Sequence, residues 1–286
     1  MNSVALTLIL VSAIIHATWN LLAKKSGGGR IFVWMFTTLS SLVLVPAAFV
    51  QLIVQQHEVN LIGAGFVAGT AVVHLLYFML LQRGYQTGDL SLVYPLARGL
   101  GPILATIGAV IVLGERPSAI AIAGLVLVML GVILLTVQGS NAPMKHPRAA
   151  IFYGSMTGIV IAFYSVWDKF AVSRLAVPPL VLEAFAGLGI SLMLAPYALK
   201  RWDQVKETWS KNRTEVIGVA VLAPLSYILV LTAMSFTPLS YVAPSREISI
   251  LFAAIFGAHF LGEGHTARRL LAACSMVGGL IALAVG

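Results

Sequence analysis

Nine short polar clusters divide this chain into ten long apolar stretches, and that spacing restricts its fold more than any other feature. The stretches run about 3–23, 31–54, 61–82, 90–113, 119–138, 149–169, 179–199, 215–234, 239–261 and 267–285. A helix needs about 20 apolar residues to cross the hydrocarbon of a bilayer, and each stretch is close to that length. Only 10% of the 286 residues are charged, against about 25% in a soluble domain, and 59% are hydrophobic. So little charge cannot cover the surface of a water-soluble protein of this size. An ordinary cytosolic enzyme, a secreted disulfide scaffold and a disordered chain are excluded. The alternating segments of a membrane β-barrel, about ten residues each, do not occur. The expected fold is all-α: a polytopic membrane protein with ten transmembrane helices.

The 18 Lys and Arg outnumber the 10 Asp and Glu, for a net charge of +8. In a soluble protein that balance would suggest nucleic acid. In a membrane protein it reflects basic residues gathered in cytoplasmic loops, and no nucleic-acid partner is expected. The single cysteine, Cys274, lies in an apolar stretch and offers neither a disulfide nor a zinc spacing. No basic segment precedes the first apolar stretch; Lys24 and Lys25 come after it. It reads as a retained first span, not a cleaved signal peptide.

The two halves resemble each other at an offset of 148 residues. His16, Trp19 and Asn20 fall opposite Tyr164, Trp167 and Asp168; Arg98 falls opposite Arg246; Gly114-Glu115 falls opposite Gly262-Glu263. With a gap of one or two residues, Tyr77 meets Tyr227, Thr87 meets Thr237 and Pro95 meets Pro244. This order of landmarks indicates an internal duplication, with repeats at 1–139 and 149–286. Five spans per repeat force the second copy to cross the membrane in the opposite sense. Connectors one to nine carry 3, 0, 1, 1, 2, 2, 5, 0 and 2 Lys and Arg, with Lys169 counted in the sixth. The odd connectors thus hold 13 and the even ones 3, the opposed bias of an inverted pair. The same rule places the odd connectors in the cytoplasm and both termini outside it, in a multi-pass protein of the inner (plasma) membrane.

Ten spans in two halves, each with a Leu-Gly-Glu segment (113–115 and 261–263) before a glycine-containing last helix, resemble the EamA branch of the drug/metabolite transporter superfamily. The likeness covers almost the whole chain. It implies a carrier or exporter of a small metabolite, with no cofactor. Many members of that family carry basic residues in the second connector and begin inside the cell. Here the second connector has none and the first has Lys24, Lys25 and Arg30, so the charges oppose the usual family layout.

Several polar residues lie within the apolar stretches. His16 and Asn20 share one helix face, four residues apart, with Trp19 beside them. Tyr164 and Asp168, with Trp167, repeat the pattern in span six. Polar groups in a bilayer face the bundle interior or a water-filled cavity, so these residues read either as a substrate-binding wall or as interhelical hydrogen bonds. Arg98 and Arg246 lie deep in apolar stretches, three and two residues after Pro95 and Pro244. An arginine at mid-membrane costs on the order of 3 kcal/mol or more. The pair suits a carboxylate or phosphonate on the substrate; the alternative is an internal ion pair with Glu183 or Glu247. Glu183 is a candidate for proton coupling, for pairing with an arginine, or for plain interfacial placement. Tyr77, Tyr94, Tyr227 and Tyr241 complete the candidate wall, although each alone, like His74, reads as an ordinary interior residue. Glu115 and Glu263, after glycines at span ends, read as helix-boundary residues, with a gate as the alternative. Gly65 and Gly69, and Gly154 and Gly158, read as helix-packing positions.

Catalytic and nucleotide-binding signatures are missing from the sequence: it has no His-Glu-x-x-His, Gly-x-Ser-x-Gly or Walker loop, and His259 and His265 have the wrong spacing for a zinc helix. The expected function is a secondary transporter of a small anionic or zwitterionic metabolite, working by alternating access, with protons as the candidate coupling ion. A lipid-linked substrate flippase and an intramembrane enzyme are the competing classes.

Overall fold

A computed structural model describes the chain except for residues 57, 88–89, 137–146 and 262–266. The described residues are helical almost throughout, in eleven segments: α1 (Ser3–Lys25), α2 (Arg30–Val54), α3 (Leu61–Thr87), α4 (Leu90–Leu113), α5 (Ala119–Thr136), α6 (Pro147–Ser173), α7 (Pro179–Leu199), α8 (Trp202–Phe236), α9 (Leu239–Ser245), α10 (Ile248–Leu261) and α11 (Ala267–Val285). Seven of them are long and apolar enough to cross a membrane alone. The fifth and tenth spans are shorter apolar helices, and α9 with α10 makes up the ninth. Ile53, Leu61, Ile111 and Val285 are among many large apolar side chains left exposed around the bundle, where a lipid chain, unlike water, solvates them without cost.

Three expectations about spans change. The seventh connector is not a loop. Trp202 begins a helix that runs on into span eight, bent at Asn212 (φ −128°, ψ 23°). The ninth span is not one helix. Pro244 has no amide hydrogen to continue the ladder, and the backbone tightens there: Glu247, Ser249 and Ile250 donate to the carbonyls three residues back, of Pro244, Arg246 and Glu247. Its repeat partner α4 passes through Arg98 unbroken. Lys169, finally, is no connector residue. It lies within α6 with its ammonium buried, donating to the carbonyls of Met234 and Thr237 at 2.5 and 2.9 Å. Without it the charge bias across the faces only sharpens.

The packing respects the repeat. Helix α1 packs on α8, as its counterpart α6 packs on α3; α4 packs on α6, as α9–α10 packs on α4 and α1; α2 faces α7, and α5 faces α11. Each of these contacts maps onto itself or another when the repeats are exchanged, as expected of two inverted halves around one centre. Glycine explains the tightest of them. A Cβ on Gly124 would meet the Gly279 carbonyl oxygen at 2.8 Å, and one on Gly279 would meet that of Gly124 at 2.7 Å, so α5 and α11 touch backbone to backbone. Gly154 and Gly158 let α6 approach α4 closely: an added Cβ would lie 3.0 and 2.9 Å from the Cβ atoms of Leu96 and Leu100. Gly65 does not behave as expected, because its missing Cβ would point into open space.

The chain ends meet on the face of the even connectors. The Met1 amino group donates to the Ala284 carbonyl at 2.7 Å, and the Tyr241 hydroxyl joins Ser118 of the fourth connector to the Gly286 carbonyl. On the other face Lys25 pairs with Glu215 at 2.9 Å.

Candidate functional site

Eight spans of the two repeats enclose a cavity of about 170 Å³. On α1, α3 and α4 its lining falls in the halves nearest the odd connectors: His16, Trp19 and Asn20; His74 and Tyr77; Tyr94 and Arg98. Helices α6, α7 and α8 contribute Tyr164, Glu183 and Tyr227, and Arg246 enters from the break in the ninth span. Helix α2 adds the hydroxyls of Thr37, Ser40 and Ser41. Of the two stripes made equivalent by the repeat, α1 presents His16, Trp19 and Asn20 to this space and α6 presents Tyr164.

The two arginines are held differently. Arg98 lies 3.5 Å from the Glu247 carboxylate and 3.2 Å from His16 Nε2, with its guanidinium over the Tyr94 ring. It is a paired charge, and the pairing offsets the cost of placing a guanidinium inside the bundle. Arg246 has no carboxylate within ion-pair range among the described residues; its guanidinium rests over the Tyr227 ring at 5.3 Å. A small polar pocket of about 10 Å³, space for about one water, lies between His16, Arg98 and Arg246. Trp19 Nε1, on the cavity wall, has no hydrogen-bond partner among the described residues, and neither has the second oxygen of Glu247.

Behind this wall lies a polar knot that the sequence did not announce. The Asp168 carboxylate is fully buried and accepts three hydrogen bonds from two helices: Thr70 at 2.7 Å and His74 at 3.0 Å on α3, and Tyr227 at 2.5 Å on α8, so that α3 and α8 are tied to α6. Tyr164 packs edge-on against both His74 and Tyr77. Asp168 is thus the fixed point from which His74 and Tyr227 reach the cavity, and through Tyr227 it supports Arg246. His74, read alone as an interior residue, is both knot and lining.

Glu247 lies behind Arg98 as an ion-pair partner, one of the two roles expected of it. Three of the expected wall residues lie elsewhere; Asp168 is in the knot. Trp167 points to α3, where the bare backbone at Gly69 makes room for its ring; it stacks on Phe66 with centroids 4.1 Å apart and donates to the Phe66 carbonyl at 3.0 Å. Tyr241 belongs to the even-connector face, bound to Ser118 and Gly286. Asn20 lines the cavity but spends its amide on the His16 carbonyl of its own helix. Glu183 lines the cavity with no hydrogen bond or ion pair among the described residues. Glu263 and His265 lie outside the described residues, as do the side chains around His259. No group of three metal-ligating side chains occurs among the described residues.

Comparison with known proteins agrees with this architecture. A solved crystal structure of another protein, 14% identical, matches over 100% of this chain and 98% of its own length with a TM-score of 0.77, which shows a shared fold. No curated protein matches in sequence. The family model described as "EamA-like transporter family" matches twice, over residues 3–137 and 148–285, once for each five-span half. The chain therefore belongs to the EamA-like transporter family of the drug/metabolite transporter superfamily and is a multi-pass membrane transporter built from two repeats.

Proposed function

We propose that this transporter is a secondary carrier of a small anionic or zwitterionic metabolite, bound in the central cavity and exposed to the two faces alternately. The observation that carries this reading is the contrast between the arginines. Arg98 is neutralised by Glu247, whereas Arg246 offers its guanidinium to the cavity with only an aromatic face beneath it. A guanidinium forms paired hydrogen bonds with a carboxylate or phosphonate, and the unpartnered Trp19 Nε1 is a further donor for the same group. Glu183, unpaired on the same cavity, suits the cationic end of a zwitterion or a coupling proton. With the odd connectors in the cytoplasm, the cavity lining leans toward the cytoplasmic face.

The experiment is a solute screen in proteoliposomes, with carboxylates, phosphonates and their amino derivatives, in the presence and absence of a proton gradient. Uptake of an anionic or zwitterionic solute that is lost in Arg246→Leu supports the reading. Transport of only neutral or cationic solutes, or full activity of Arg246→Leu, overturns it. If protons couple, Glu183→Gln abolishes gradient-driven uptake while sparing exchange.

A further inference from the structure

The short helix that delivers Arg246 to the cavity does not cap itself. Its N-terminal flank is Pro238, which has no side chain able to accept the first amides of α9 and makes no cap hydrogen bond. The cap comes from the other repeat. Glu115, just past the end of α4, puts one carboxylate oxygen 2.7 Å from the Leu239 amide and the other 2.8 Å from the Ser240 amide and 2.7 Å from the Ser240 hydroxyl. Gly114, at φ +71°, makes the turn that aims it. Three charge-assisted bonds from one side chain, across the repeat boundary, are far more than a helix boundary requires of the residue that ends α4.

The same hinge is gripped from a second direction. Lys169 of α6 donates to the Met234 and Thr237 carbonyls at the end of α8. The link between α8 and α9 is therefore held by an anion on the amide side and a cation on the carbonyl side, each matched to the polarity of the helix end it meets. Both contacts lie on the even-connector face, opposite the direction in which the α1, α3 and α4 lining leans. Helix α9 spans only 7 residues, with the Glu115 contact at its start and Arg246 as its C-cap. Anything that releases one end moves the other. Each repeat also carries both parts of the arrangement in its sequence: a Leu-Gly-Glu, and a Leu-Ser-x-Val-x-Pro ahead of the arginine.

We infer that Glu115 is a latch: its carboxylate, bound to Leu239 and Ser240, holds the even-connector face closed, and opening the cavity to that face requires it to let go. The inference rests on the alternating-access reading, but its test needs no known solute. A single reporter cysteine is placed on the cavity wall at Ala223 (Ala223→Cys) in a Cys274→Ala background, and its labelling by a membrane-impermeant maleimide is timed from each face of oriented proteoliposomes. Glu115→Gln keeps the size of the side chain but loses the charge and one acceptor oxygen. It raises labelling from the even-connector face by about ten-fold, the shift expected when one charge-assisted hydrogen bond is lost from one side of a two-state equilibrium. Ser240→Ala moves the rate the same way and by less; Lys169→Met loosens the hinge from the other side. If Glu115→Gln lowers the melting temperature in detergent while labelling from both faces stays as in the parent, Glu115 is a static cap and the latch is wrong. A labelling shift in a protein that moves no anionic or zwitterionic solute keeps the latch and discards the substrate reading; solute uptake with unshifted labelling does the reverse.

Discussion

Asp168→Asn should be among the most damaging single-atom changes in the protein, although Asp168 touches no open space. The carboxylate receives three donors on two oxygens: Thr70 on one, His74 and Tyr227 on the other. Asparagine retains an acceptor for Thr70 but turns an amide toward two groups that are themselves donating. His74 can change tautomer and accept, whereas Tyr227 must turn its hydroxyl away. At least one bond is lost and the others lose their charge. With about 1.5–3 kcal/mol for each hydrogen bond to a charged group, and a fully buried site, the loss comes to roughly 2–4 kcal/mol. At about 2–4 °C per kcal/mol for a chain of a few hundred residues, the melting temperature in detergent falls by several degrees. Thr70→Val, which removes one donor and spares the rest, costs about half as much. Because Tyr227 supports Arg246, Asp168→Asn also weakens binding of an anionic solute without contacting it. An Asp168→Asn protein with unchanged melting temperature would show that the knot contributes nothing, and full affinity in that variant would show that Arg246 does not depend on it.

Four more outcomes are expected. Arg98→Leu strands the buried Glu247 charge and destabilises the protein by about 3–5 kcal/mol, whereas Arg98→Leu with Glu247→Leu recovers much of the stability but not transport; equal melting of the single and double variants would refute the pairing. Arg98→Lys keeps the charge but cannot reach both Glu247 and His16 with a single nitrogen, so it lowers the melting temperature by less than Arg98→Leu does. Gly124→Leu drives a side chain into the Gly279 backbone and costs about 1–3 kcal/mol or more as overpacking, while Gly65→Leu, facing open space, is tolerated; comparative melting curves decide. A reporter that fluoresces only in the cytoplasm, fused after Gly286, stays dark, and a bright fusion would refute the outward placement of the termini.

The number and length of the spans were legible because in hydrocarbon every backbone group must be satisfied within its own helix. Apolar length then translates directly into crossing helices, and the repeat landmarks, read in order, carried the two-half architecture and the family. The break at Arg246 was announced only as a proline. Pro95 and Pro244 are equivalent in sequence, yet α4 runs on and the ninth span divides. A proline frees a carbonyl in either helix; whether the helix then breaks depends on the neighbours that take up the slack. In the ninth span the slack is taken up by the three-residue bonds of Glu247, Ser249 and Ile250, while Glu115 and Lys169, both far from α9 in the chain, hold the link between α8 and α9.

Residue type and period placed His16, Trp19, Arg98, Tyr164 and Arg246 facing inward, and the structure brings all five to the cavity. They could not say which polar group meets a ligand and which meets another side chain. Glu247 is the next residue after Arg246, yet its carboxylate lies on Arg98 of the other repeat. Trp167 is the repeat equivalent of Trp19, but the bare backbone of Gly69 across from it takes the ring away from the cavity. Periodicity fixes the face of a helix; which object faces it is set by the packing of helices far apart in sequence, and only that packing distinguishes a paired charge from an offered one.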